Sequence, residues 1–160
     1  MSLQRLLSVL IAGLACVAIL TAAPLRPAFA QTQGAQPHIV KLFGNGNIYL
    51  VQNRPTHSTQ FTLPQAAHLT KILTHHWNDG RGAPAGTIAL RKSTGETFGP
   101  WDTEGPPGQG GVPSAYWVVE GDLELPAGTY TVVDSDPATW SQNPGTGGAG
   151  IVIAEGYRAD

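Results

Sequence analysis

The chain has 160 residues, 41% of them hydrophobic and 12% charged, with nine Lys and Arg against eleven Asp and Glu, and one cysteine. That balance disfavours a nucleic-acid partner, which requires Lys and Arg clustered for phosphates. A lone cysteine closes no disulfide within the chain, so a packed core must hold the fold together.

Residues 1–30 have the three parts of a secretory signal: Arg5, an apolar run over 6–22, and Ala28-Phe29-Ala30 as a small-residue cleavage site. Cleavage after Ala30 is the expected processing, and the alternative is an uncleaved membrane anchor. Export places the protein outside the cytoplasm, secreted or in the envelope, with no membrane contact after cleavage. The exported chain loses Cys16 and two arginines, leaving seven basic residues against eleven acidic ones and a net charge of −4.

Beyond a flexible leader at 31–37, one domain is expected over 38–160. No window has a 3.6-residue apolar period, whereas short β-branched and aromatic runs recur between Gly, Pro, Asn and Asp clusters. Strands are predicted at 38–43 and 47–51, paired as a hairpin across Gly44-Asn45-Gly46. Others are predicted at 59–63 and 69–77, the latter with Leu69, Leu73 and Trp77 on one face and Ile72 and His76 on the other. A loop at 78–86 precedes strands at 87–91 and 96–101, and a Gly/Pro loop at 103–113 follows. A strand at 114–119 is expected to turn at Gly121-Asp122, with Leu123 and Leu125 starting the next pass. The tight turn at 126–128 leads into 129–133, the most β-prone run, then a polar loop at 134–143, a flexible loop at 144–150 and a closing strand at 151–154. Nine or ten short strands predict an all-β fold, an antiparallel two-sheet sandwich of jelly-roll type, with a closed barrel as the alternative. Trp77, Trp117, Tyr130 and Phe61 are expected in its core.

These residues resemble a set of secreted bacterial β-sandwich modules. The resemblance rests on Asn45-Gly46-Asn47-Ile48-Tyr49, His76-Trp77-Asn78 with Gly80 and Gly82, Gly99-Pro100-Trp101, Tyr116-Trp117 and the run from Pro126 to Asn143. It covers the exported chain, implies the same fold, and brings no catalytic residue with it. The chain departs from that pattern at His75, where an aromatic is usual.

Several residues invite chemistry. Asp134 and Asp136 offer carboxylates at alternating positions, a donor set suited to Ca²⁺, although Asp136 before Pro137 also reads as a local cap. His75 and His76 point to opposite faces of a strand and cannot chelate one ion, while His76 and Asn78 share a face. Trp101 and Trp140, at strand–loop junctions near Asn143, would suit stacking on sugar rings if exposed, and otherwise cap the core. The Gly145 to Gly150 run matches a dinucleotide fingerprint in letters only, because it precedes a strand instead of a helix. The leading expectation is therefore a non-enzymatic module binding an extracellular ligand, a carbohydrate, through Trp101, Trp140, Asn143, His76 and Asn78, with Ca²⁺ at Asp134 and Asp136. A structural or interaction domain of the cell envelope is the alternative, and a small hydrolase using His76 with a carboxylate is the third.

Overall fold

The computed structural model describes residues 36–159, and the expected signal at 1–30 with residues 31–35 of the leader lies outside them. Ten strands follow: β1 (Val40–Gly44), β2 (Gln52–Asn53), β3 (Gln60–Leu63), β4 (Ala67–His75), β5 (Thr87–Lys92), β6 (Thr97–Asp102), β7 (Tyr116–Leu125), β8 (Gly128–Asp134), β9 (Ser141–Gln142) and β10 (Val152–Arg158). All their ladders are antiparallel. One four-stranded sheet runs β1-β10-β4-β7, the other β3-β8-β5-β6, and β2 with β9 makes a short two-stranded piece. The two large sheets are open and pack on each other, so the fold is the predicted β-sandwich rather than a closed barrel.

The core lies between the sheets because each strand turns alternate apolar residues inward. Leu69, Ile72, Trp117 and Val152 come from one sheet, and Phe61, Ile88, Leu90 and Tyr130 from the other. Phe61 stacks between Phe43 and Tyr130, at ring-centroid distances of 5.3 and 5.6 Å. The Tyr130 hydroxyl leaves the apolar layer by donating to the Pro126 carbonyl at 2.6 Å.

Four local expectations give way. Residues 47–51 form a loop, not a hairpin partner for β1, which pairs with β10 instead. Asn45 is responsible: its side chain donates to the Gly150 carbonyl at 2.9 Å and accepts from the Val152 amide at 2.8 Å. The turn position is thereby tied to a segment more than a hundred residues away. Second, β7 runs straight through Gly121-Asp122, where the sequence predicts a turn, and the pairing register with β4 slips there. Third, β4 ends at His75, and Trp77 is half-buried rather than core. Fourth, β10 continues to Arg158, past the predicted end at Ala154.

The β4 irregularity decides which residues face out. Thr70 and Lys71 are both half-buried, and Leu69 and Lys71 pair with the adjacent Gly156 and Glu155 of β10. A bulge changes the two-residue phase of a strand, so Leu69 ends up on the same inner face as Ile72, Thr74 and His76. Leu73 and His75, followed by Trp77, turn away from the other sheet.

Candidate functional site

His76 and Asp134 are fully buried in their side chains and meet between the sheets, one from the chain just after β4 and the other from the end of β8. His76 Nε2 lies 3.0 Å from Asp134 Oδ2. The same oxygen accepts from the Thr74 hydroxyl at 2.9 Å, while Oδ1 accepts from the Asp136 amide at 2.9 Å. On the other side of the ring, Nδ1 lies 2.9 Å from the Thr139 hydroxyl oxygen. Thr139 in turn donates to Asp136 Oδ2 at 2.8 Å. A threonine has one hydroxyl proton. With that proton on Asp136, the network runs from Asp134 through the His76 ring to Thr139 and on to Asp136. The ring also stacks on Trp117 at 3.8 Å.

This chain of contacts has the connectivity of a nucleophilic triad but not its direction of proton flow. A base must accept the nucleophile's proton, and here the Thr139 hydroxyl donates to Asp136 Oδ2. His76 is also wholly closed off, where general-base work needs an opening for substrate. Asp134 and Asp136 are engaged in the same way: Asp134 by Thr74, His76 and the Asp136 amide, Asp136 by Thr139 and by the Ala138 amide at 3.2 Å. Among the described residues, no group of three His, Cys, Asp or Glu side chains is gathered as a metal ion requires. The aspartates accept from the amides of the turn that follows β8.

The expected ligand residues are dispersed. Trp140 is only 5% exposed, so it has no free ring face for a sugar. Its indole N–H donates to the Ile151 carbonyl at 3.0 Å. It fits because Gly150 has no side chain: a Cβ there would stand 2.1 Å from the indole. Asn143 is buried and exchanges amide hydrogen bonds with Asn47, at 2.8 and 3.1 Å. Trp101 is half-buried against the core on the edge strand β6, on the sheet that does not contain β4. Asn78 lines a polar cleft beside Arg54 and Arg81, and its amide is taken up by Asn53 and the Gly82 carbonyl. The binding surface expected around Trp101 and Trp140 is therefore not formed. Trp140 takes the core-capping alternative, and the glycine opposite lets the ring in.

A different surface is concave. On the outer face of the β10-β4-β7 sheet, a cleft of about 640 Å³ opens beneath the loop 46–51. Leu73, His75 and Trp77 form its floor, with Tyr116 on one flank and Ile151 and Ile153 on the other. Tyr49 and Gln109 reach in from loops, and among the described residues no Lys, Arg, Asp or Glu lines it. The His75 ring lies 5.3 Å from that of Tyr116. Sequence reasoning missed this site because strict alternation sent Trp77 inward. The available signal was Thr70-Lys71, two consecutive polar residues between Leu69 and Ile72.

The roof is a fixed structure. Asn47 Oδ1 accepts from the Tyr49 amide at 3.0 Å, and the buried Asn143 amide bridges Asn47 and the Tyr49 carbonyl. The loop is thus held from beneath while its tip projects outward.

His75 keeps the floor neutral. Burial, and then the neighbouring His76, lower its pKa from 6.5 to about 4. The folded state resists a proton that the unfolded chain accepts near 6.5. Stability is therefore fully present above that value and falls as pH drops from about 6.5 toward 4. Urea titrations of wild type and His75→Gln across that range should show the wild type losing more; parallel losses would contradict it.

No family model matches the chain, and neither a curated protein nor a solved structure matches it.

Proposed function

We propose that the protein is an exported, non-enzymatic binding module that takes an uncharged carbohydrate in the cleft beneath the 46–51 loop. What carries the reading is the lining: rings of Trp77, Tyr116, His75 and Tyr49 around an opening without a formal charge. Sugar rings have apolar faces that stack on aromatics and polar edges that need hydrogen bonds. Gln109, the tyrosine hydroxyls and the neutral His75 nitrogens are the polar groups at hand. The volume lies within the range of small-ligand sites, roughly 300–1,000 Å³. Calcium has no part in this reading, because the Asp134 and Asp136 oxygens already accept protein hydrogen bonds. The absence of lining charge argues against acidic sugars, whose carboxylates would enter the cleft unpaired.

The test is isothermal titration with a panel of neutral and acidic oligosaccharides, using wild type, Trp77→Ala and Tyr116→Ala. Truncating a central aromatic anchor costs about 2 kcal/mol or more, roughly a 30-fold loss of affinity. Each variant should lose that much for a neutral glycan while retaining its fold. Binding that survives both substitutions, or that favours acidic glycans, would count against the proposal.

The envelope-interaction alternative has one observation in its favour, the apolar tip of the same loop, where Ile48 and Leu50 stand almost wholly in water.

A further inference from the structure

Ile48 is 100% exposed, Leu50 94% and Tyr49 65%. Isolated apolar residues on a surface are ordinary, but three large ones in succession on a pinned loop are not. The Asn47–Asn143 amide exchange and the Tyr49 amide on Asn47 hold the tip in its projecting shape. At Gly145 a side chain would press on the Tyr49 ring, at 2.7 Å, so the glycine lets the loop settle there. The tip cannot fold back to cover itself without breaking those contacts, and its shape is set before any partner arrives.

We infer that this tip seats in the cleft of a second copy of the chain, giving a weak two-fold dimer whose two clefts are closed reciprocally. Three features favour a second copy over other occupants. Knob and hole lie in one patch, because the tip residues themselves border the cleft. A two-fold axis through such a patch satisfies both copies at once. Among the described residues the patch has no charged side chain, so bringing it against itself opposes no like charges even though the exported chain is net acidic. The same neutrality disfavours an anionic bilayer, which is recognised by clustered Lys and Arg.

The size of the patch sets the strength. Thirteen residues line the cleft, whereas a stable interface takes about 20–30 residues a side. The dimer is therefore weak and concentration-dependent, dissociating on dilution. A ligand that occupies the cleft competes with the tip, and by linkage dimerisation weakens ligand binding by the same factor.

Sedimentation velocity of the purified protein between about 10 µM and 1 mM, with no ligand present, tests this. The wild type should pass from monomer to dimer over that range. Ile48→Asp and Leu50→Asp, at positions too exposed to disturb the core, should each raise the dissociation constant about ten-fold or more. A monomer throughout overturns the inference, as does a dimer indifferent to both substitutions. A monomer that floats with neutral phosphatidylcholine vesicles also overturns it, in favour of a lipid surface. Because mass is read without a glycan, failure here leaves the carbohydrate reading standing, and failure of that reading leaves the dimer standing.

Discussion

Asp134→Ala is expected to remove about 3–5 kcal/mol of folding stability, read as a fall in urea midpoint at an unchanged slope. The effect follows from what remains behind. His76 keeps its place on Trp117 at 3.8 Å and in full burial, but its Nε2 donor loses the acceptor 3.0 Å away. The Thr74 hydroxyl and the Asp136 amide lose their acceptor as well. A buried donor without a partner costs its full desolvation; the Asp136 amide loses its acceptor outright, and the Thr74 hydroxyl and His76 Nε2, 3.1 Å apart, keep only each other. His76→Leu should be comparably damaging through Asp134. The double variant His76→Leu with Asp134→Leu should cost less than the sum, since removing both partners leaves no uncompensated charge. Additive losses, or a loss under about 1 kcal/mol for Asp134→Ala, would show that the pair does not hold the two sheets together.

Trp140→Ala is the second large effect, expected at about 3–5 kcal/mol. The indole is buried against Gly150 and held by the Ile151 carbonyl, so truncation leaves a cavity and an unpaired backbone acceptor. Glycan affinity measured on whatever fraction stays folded should be unchanged, because Trp140 does not line the cleft. The contrast with Trp77→Ala is diagnostic: under the proposed function one tryptophan carries the fold and the other the ligand. A stable Trp140→Ala protein that has lost its ligand would reverse that assignment.

How much of this could be read from the residues depends on how far apart the interacting groups lie along the chain. The strands and the sandwich were legible because β-branched alternation is local: Thr87 to Leu90 and Thr129 to Val133 need no partner to declare their period. The buried polar groups were not, since nothing near Asn143 or His76 announces Asn47 or Asp134. Those partners are 96 and 58 residues distant. The hairpin expected at Gly44-Asn45-Gly46 fails for the same reason, because Asn45 is bound at Gly150 and Val152. At β4 a single bulge redirected three residues, and the sequence trace of it is two polar letters. The candidate site changed with that bulge. His75 lies on the cleft floor.

The most direct measurement of the central claim is a heteronuclear NMR titration that follows the indole N–H signals of Trp77, Trp101, Trp117 and Trp140 as neutral oligosaccharide is added. The account predicts that Trp77 shifts with saturation, while Trp117 and Trp140, whose N–H groups are fixed on the Ala83 and Ile151 carbonyls, stay in place. Movement of Trp101 or Trp140 with Trp77 unmoved, or no movement with any glycan of the panel, would contradict it.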